Sequence, residues 1–143
     1  MSGTTESIAS LVEDFNAISV RDRLLLLLEF SDNLPDLPAR YADHPDLLER
    51  VEECQSPVYL FVEVEKNEKV NLFFSAPPEA PTTRGFASVL HEALDGHSVQ
   101  EVLEVDEDFP NRLGLSEAVS PLRLSGMRAI LRRIKRQIRE KLI

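Results

Sequence analysis

The chain has 143 residues, a formal net charge of −9 and 43% hydrophobic residues. This length and apolar content suit a single domain, residues 1–143, whose core needs neither a metal nor a disulfide. One cysteine cannot form an internal disulfide, and the N-terminus lacks the basic and apolar regions of a signal peptide, so nothing indicates secretion. The longest apolar run, residues 24–28, is too short to cross a bilayer. We therefore expect a cytoplasmic protein without membrane contact.

The charge is distributed unevenly along the chain. Residues 121–143 hold eight Lys or Arg and one Glu, a net charge of +7 that leaves −16 on residues 1–120. So acidic a body would repel phosphates, which argues against nucleic acid as a general partner. The basic segment keeps a local anionic partner open, but its charge can also complement its own helix dipole or pair with the acidic body.

The first part of the chain predicts two helices. Apolar residues recur at helical spacing over residues 7–18. Ser19 is the predicted N-cap of a second helix that runs to about Asn33. Five consecutive leucines, residues 24–28, are more than one helix face needs, so this helix is expected to be buried on most sides. The proline-containing segment 34–38 ends it.

The middle of the chain predicts a small antiparallel sheet, after an irregular acidic stretch that ends at Leu48. Residues 50–52 suit a short strand, and residues 58–64 are rich in β-branched and aromatic types. A polar turn at 66–69 leads to a returning strand at 70–74. Three strands with one face covered by helices are about the smallest sheet that is stable.

Three further helices are predicted after the sheet. The first begins near residues 82–83 and stops at Gly96, and Ser98 caps a short second one with Glu101 in the capping-box position. Ser120 caps the last helix. The order of helices, strands and helices predicts an α+β fold, with a small antiparallel sheet and helices packed on one face. The apolar stripe expected to be buried on the last helix is Leu122, Met127, Ile130, Leu131, Ile134, Ile138 and Leu142.

The only cysteine, Cys54, lies in a polar stretch just before the strand predicted at 58–64. Free cysteines are most often buried as small hydrophobes, but the polar neighbours indicate a loop, and both interpretations stay open. The carboxylates of Glu52 and Glu53 should raise the pKa of the thiol. We expect a poor nucleophile that reacts only when a partner changes its surroundings.

Other kinds of site have weaker signals. His44, His91 and His97 show no metal-ligand spacing with one another or with Cys54. Surface or turn positions suit them better, although a Cys–His pair using His44 stays open. The chain has no glycine-rich phosphate loop, and its basic last segment lacks the interleaved aromatics that stack on bases.

A series of short motifs runs through nearly the whole chain. They are Cys54-Gln55-Ser56 before Val58-Tyr59-Leu60, Arg84-Gly85, Asp95 to Leu103, Leu113-Gly114-Leu115, and Ser120 to Arg123 with Gly126-Met127. In this order they resemble SufE, the family of sulfur-acceptor proteins that work with a cysteine desulfurase in iron–sulfur cluster assembly. The resemblance implies a fold shared with IscU-type scaffolds, in which the cysteine lies at a loop tip.

The resemblance also implies a function. A pyridoxal-phosphate desulfurase, SufS-like or CsdA-like, holds sulfur as a persulfide. The thiol that matches Cys54 takes that sulfur, stimulates the desulfurase and passes the sulfur to an iron–sulfur scaffold complex. Cys54 is then the catalytic position, and Arg123, Gln55 and Ser56 contact the persulfide or the partner. No metal or cofactor is implied on this chain, because the pyridoxal phosphate belongs to the desulfurase, and no independent turnover is expected.

Glu53 departs from the family pattern, which usually has glycine before the cysteine. Because glycine bends freely, Glu53 should restrict the loop, and it adds a negative charge beside the thiol. We expect Cys54 near the surface with its sulfur partly turned into an apolar pocket.

Two alternative functions stay open. An IscU-like scaffold would bind a cluster or a metal itself, but clusters need several thiolates and this chain has one cysteine. A non-catalytic interaction module would use the basic C-terminal helix to bind an acidic partner or nucleic acid.

Overall fold

The structure, a computed structural model, describes residues 3–142, with side chains from Glu6 onward. Its helices are α1 (Gly3–Asn16), α2 (Val20–Asp32), α3 (Ala39–Ala42), α4 (Pro81–Leu94), α5 (Val99–Leu103), α6 (Phe109–Arg112) and α7 (Pro121–Lys141). Its strands are β1 (Glu49–Arg50), β2 (Tyr59–Val64) and β3 (Val70–Ser75). Short 3₁₀ turns at Pro45–Leu47 and Leu115–Glu117 lie in the connections.

The strands form one antiparallel sheet in the order β1-β2-β3, which confirms the predicted arrangement. β2 and β3 pair along their full length of six residues each. β1 pairs over only two residues, Glu49 and Arg50, and so begins earlier than the predicted 50–52. The difference arises because the chain turns away from β2 directly after Val51.

Helix α7 lies beside the part of β2 that β1 does not reach. The side-chain oxygen Oε1 of Gln137 accepts a hydrogen bond from the backbone N–H of Val62 at 2.9 Å. Lys141 Nζ donates to the carbonyl oxygen of the same residue. Because a buried backbone polar group needs a partner, side chains of α7 satisfy the part of the strand that β1 leaves open.

Helices cover one face of the sheet and enclose the core. β2 and β3 alternate between buried and half-buried residues, and Leu60, Val62, Leu72 and Phe74 on the covered face are at most 3% exposed. This arrangement confirms the predicted α+β fold. Fully buried side chains of α4 and α7 complete the core, among them Leu90, Leu94, Met127, Ile130, Leu131, Ile134 and Ile138.

Three of the predicted helix caps are confirmed. The hydroxyls of Ser19, Ser98 and Ser120 each accept a hydrogen bond from a backbone N–H three residues further on. Ser98 and Glu101 form the full capping box. Gly96 has φ +82°, the left-handed conformation that ends the segment after α4.

Helix α2 is less buried than predicted, and α1 begins earlier than the predicted 7–18. Leu27 and Ser31 are buried along α2, but Leu25 is 52% exposed. A Cβ atom on Gly85 would lie 2.5 Å from the carbonyl oxygen of Leu27, so the backbones of α2 and α4 meet closely along one face. A run of five leucines covers more of the helix circumference than the side that packs on neighbouring elements, so part of the run stays exposed.

Two further predictions, one about buried leucines and one about the stretch before Leu48, are wrong. Leu122 and Leu142 of the predicted buried stripe are 57% and 47% exposed, because both lie at the ends of α7, where neighbouring elements cover little of the surface. The stretch before Leu48 is partly helical rather than irregular. Within it, Tyr41 packs on the rings of Phe61 and Phe73, at centroid distances of 4.7 and 4.9 Å, on the sheet face opposite the main core.

Between residues 3 and 142, no helix combines the length and the apolar character needed to cross a membrane.

Candidate functional site

Cys54 lies in the connection between β1 and β2, residues 51–58, which we name the Cys54 loop. The backbone N–H of Val51 donates to the carbonyl of Val58 at 2.8 Å, and both valines are fully buried. The N–H of Cys54 donates to the carbonyl of Val51 at 3.2 Å and closes a turn. The polar residues of the loop are therefore held between two buried valines that are hydrogen-bonded to each other.

The Cys54 side chain turns inward against α7. It is only 7% exposed, and its Sγ lies 3.6 Å from the carbonyl oxygen of Gly126, close enough for a weak S–H donor. A Cβ atom on residue 126 would lie 3.1 Å from Sγ, so the glycine permits this approach. Cys54 therefore lies in a loop, as its polar neighbours indicated, and is also buried, as free cysteines most often are. The predicted sheltering of the sulfur is confirmed.

A small cleft opens beside the sulfur. Its volume of about 10 Å³ leaves room for about one water molecule. Phe86 and Leu122 form its apolar side, and Glu53, Gln55, Thr83 and Arg123 bring polar groups to it. Because the cleft is this small and Cys54 is only 7% exposed, a larger group can reach Sγ only if the loop moves.

The thiol is held in its protonated form. Burial, reinforced by the Glu53 carboxylate and opposed by the Arg133 guanidinium, raises the pKa of Cys54 to about 11. The predicted direction of the pKa shift is right, but its predicted cause is not the main one, since burial raises the pKa more than the Glu53 charge does. At pH 7 only about one molecule in ten thousand would carry a thiolate.

Glu53 contacts the basic helix. Arg133 Nε and Nη2 donate to Glu53 Oε1 at 3.0 and 2.8 Å. Arg133 Nη1 also donates to Glu49 Oε2 at 2.6 Å, and Arg136 pairs with the same carboxylate. Part of the basic charge of α7 therefore pairs with the acidic body, as one of the sequence interpretations proposed.

Comparison with known proteins identifies the family. A family model described as SufE, Fe-S metabolism associated domain, matches residues 9–138. This chain belongs to the SufE family. An uncharacterised SufE-like protein of Mycobacterium tuberculosis is 50% identical over 133 residues, 93% of this chain and 92% of that protein. A protein of Plasmodium falciparum named cysteine desulfuration protein SufE is 31% identical over 84 residues, 57% of this chain and 34% of that protein.

A solved structure supports the fold assignment. The solution structure of a hypothetical protein from Thermus thermophilus is similar to this chain with a TM-score of 0.82 and 39% sequence identity. The similarity covers 95% of this chain and 96% of that one. The family description and the names of the relatives support a role in the sulfur chemistry of iron–sulfur metabolism.

The structure brings together most of the residues that the SufE resemblance singled out. Cys54, Gln55 and Arg123 line the same cleft. Ser56 is half-buried in the Cys54 loop but does not line the cleft. Arg123 reaches the site because α7 begins beside the loop, and its backbone N–H is held by the Ser120 cap at 3.3 Å.

Sequence reasoning missed several residues of this candidate site. Thr83 and Phe86 come from the first turns of α4, and no local pattern connects them with Cys54. Gly126 belongs to one of the SufE-like motifs, but its contact with the sulfur follows only from the packing of the loop on α7. Leu122 was expected in the core and instead lines the mouth of the cleft.

The histidines lie elsewhere. Among the described residues that line the cleft there is no histidine. His91 Nε2 lies 3.7 Å from Asp95 Oδ2, and His97 Nε2 lies 3.4 Å from the hydroxyl of Ser7. His44 precedes the 3₁₀ turn before β1. The structure therefore gives no support to a Cys–His pair.

Proposed function

We propose that this protein is a sulfur acceptor and carrier. Cys54 takes the outer sulfur of a persulfide on a pyridoxal-phosphate cysteine desulfurase, stimulates that enzyme and passes the sulfur to an iron–sulfur assembly scaffold. The observation that carries the proposal is the sheltered thiol on a loop beside Arg123 in a SufE-family chain. A single unpaired thiol suits a reducing compartment, so the proposal places the exchange in the cytoplasm.

The transfer is a thiol–disulfide type of exchange. The Cys54 thiolate attacks the outer sulfur of the partner's persulfide, and a new S–S bond forms as the old one breaks. The bonding electrons leave with the partner's cysteine sulfur, which takes up the proton that Cys54 has lost. Cys54 then carries the persulfide, and no external oxidant or reductant is consumed.

Docking has to activate the thiol. The closed loop leaves too little thiolate for fast attack, because burial is the largest cause of the raised pKa. Movement of the loop out of the cleft removes that cause and lets the pKa fall. Arg123, exposed at the mouth of the cleft, supplies a positive charge that favours a thiolate or a persulfide anion there.

The first prediction concerns the acceptor itself. After incubation with a cysteine desulfurase and free cysteine, mass spectrometry should find one added sulfur on the peptide that contains Cys54. Cys54→Ser should accept no sulfur and should no longer raise desulfurase turnover, because no other thiol is present. Its circular dichroism should match that of the wild-type protein. Sulfur bound to the Cys54→Ser protein would contradict the proposal.

A cluster scaffold is the weaker alternative. Such a protein needs several thiolate ligands, and the chain has one cysteine. An interaction module based on α7 would have to use charge that is partly occupied, since Arg133 and Arg136 already pair with Glu49.

A further inference from the structure

We infer that the ion pair between Glu53 and Arg133 is a latch that holds the Cys54 loop against α7 and sets how often the thiol becomes accessible. We name this contact the Glu53–Arg133 latch. Its importance for sulfur transfer rests on the proposed function. The latch itself does not, because access to the thiol can be measured without a sulfur donor.

The latch joins the residue next to the thiol to the middle of α7. Two nitrogens of the Arg133 guanidinium, Nε and Nη2, donate to Glu53 Oε1 at 3.0 and 2.8 Å. Glu53 directly precedes Cys54, so a backbone movement that takes Sγ out of the cleft also moves Glu53. The loop therefore cannot open far without breaking both hydrogen bonds.

Arg133 is the fixed half of the latch. Its Nη1 donates to Glu49 Oε2 at 2.6 Å and to the carbonyl oxygen of Arg50 at 3.1 Å, and both acceptors belong to β1. Ile130 and Ile134, on either side of it along α7, are fully buried. The guanidinium therefore stays in place when the loop moves, and the pair can form again.

Glu53 is the half that a docking protein can reach. Its side chain is 46% exposed, against 22% for Arg133. A partly exposed ion pair stabilises only modestly, so the latch favours the closed loop without locking it. A cationic side chain on the docking surface could take Glu53 from Arg133, and the loop would then open where the partner is bound.

Removal of the Arg133 charge separates a latch from a simple effect of charge on the thiol. Arg133 lowers the pKa of Cys54, so its loss should slow alkylation if charge alone mattered. The latch predicts the opposite. In Arg133→Gln, iodoacetamide should alkylate Cys54 about threefold to tenfold faster than in the wild-type protein, measured by mass spectrometry at fixed pH. An unchanged or slower rate overturns the latch.

Arg136→Gln is the matched control. It removes one positive charge from the same helix, but Arg136 pairs with Glu49 and Glu140 rather than with Glu53. Its alkylation rate should equal that of the wild-type protein. An equal acceleration in both variants would mean a general weakening of α7 and would overturn the latch. Arg133→Lys keeps the charge without the guanidinium fork and should give an intermediate rate.

Glu53→Gln tests the other half with a readout that does not depend on the ionisation of the thiol. Backbone hydrogen exchange over residues 52–56 should become about threefold to tenfold faster, as in Arg133→Gln, because the closed loop is less favoured. If exchange in Glu53→Gln matches the wild-type protein, the latch is wrong, even where Arg133→Gln fails to fold.

Sulfur transfer to the wild-type protein, measured beside these variants, keeps this inference separate from the proposed function. Faster alkylation of Arg133→Gln and faster exchange in both variants, with no sulfur accepted by the wild-type protein, would support the latch and remove the proposed function. Sulfur accepted on Cys54 of the wild-type protein, with alkylation and exchange unchanged in both variants, would support the proposed function and overturn the latch.

Discussion

Gly126 decides how deeply the thiol of Cys54 can lie. The sulfur contacts the backbone of α7 at this residue, and any side chain there would meet Sγ first and the backbone of the Cys54 loop next. The resemblance to SufE pointed to Gly126 as part of a motif, and the contact gives that glycine a physical reason. The same contact contributes to the burial that raises the pKa of the thiol.

Gly126→Ala should expose the thiol with little change in stability. Alanine gains about 0.5–1 kcal/mol in a helix interior, and the crowding of a Cβ 3.1 Å from Sγ opposes this gain. The loop can relieve the crowding by moving outward, so alkylation of Cys54 should be at least about threefold faster while the melting temperature changes little.

Ser125→Ala serves as the control for this variant, because Ser125 is an exposed neighbour on the same helix. Its alkylation rate should equal that of the wild-type protein. If Gly126→Ala melts much lower and its thiol stays closed to alkylation, the helix yields rather than the loop.

At the scale of elements, three helix caps could be predicted from nearby residues, whereas the burial of α2 could not. The caps at Ser19, Ser98 and Ser120 were predictable because each depends on a side chain and a backbone N–H three residues apart. The burial of α2 was not predictable, because it depends on which face meets α4. That face is set by Gly85, which allows the two backbones to approach.

Gly85→Ala should therefore destabilise the fold. A Cβ atom would lie 2.5 Å from the carbonyl oxygen of Leu27, a backbone atom that can move only if α2 moves. Overpacking of this kind costs about 1–3 kcal/mol, more than the gain of about 0.5–1 kcal/mol from helix propensity. Urea denaturation should show a net loss in the free energy of unfolding. Glu92→Ala, an exposed change on the same helix, should have little effect. Equal midpoints for the two variants would contradict the close contact.

At the scale of the whole molecule, the site combines segments that are far apart in the chain. The α+β order of elements and the position of Cys54 were accessible from periodicity and from the resemblance to SufE. The partner of Glu53 was not, because Arg133 lies on α7 and no local spacing pairs the two residues. Sequence reasoning expected Glu53 to act through its charge on the thiol, and the structure adds that its carboxylate ties the loop to the helix.

The buried thiol should also make global stability depend on pH. The pKa of Cys54 is about 11 in the fold, above the ordinary value of 9.0. The folded state thus holds the thiol proton more tightly than the unfolded state does. The stabilisation of the fold that results is fully present below pH 9 and is lost as the pH rises through about 11. Over this range the wild-type protein should lose up to about 2–3 kcal/mol more unfolding free energy than Cys54→Ser.

Chemical denaturation at several pH values would measure this difference. The charged groups that face the thiol, Glu53, Arg123 and Arg133, are present in both proteins, so the comparison isolates Cys54. Parallel stability curves for the two proteins would show that the thiol titrates normally.

One backbone N–H on each side of the β2–β3 pair is paired with a side chain from outside the Cys54 loop. On one side Gln137 accepts the N–H of Val62, and on the other Asp95 accepts the N–H of Leu72 at 2.7 Å. Unpaired strand edges are where neighbouring chains join by strand addition and aggregate. Gln137 and Asp95 lie outside residues 51–58, so both N–H groups stay paired when the Cys54 loop moves. Movement of the loop therefore does not free these two N–H groups to pair with a strand of another chain.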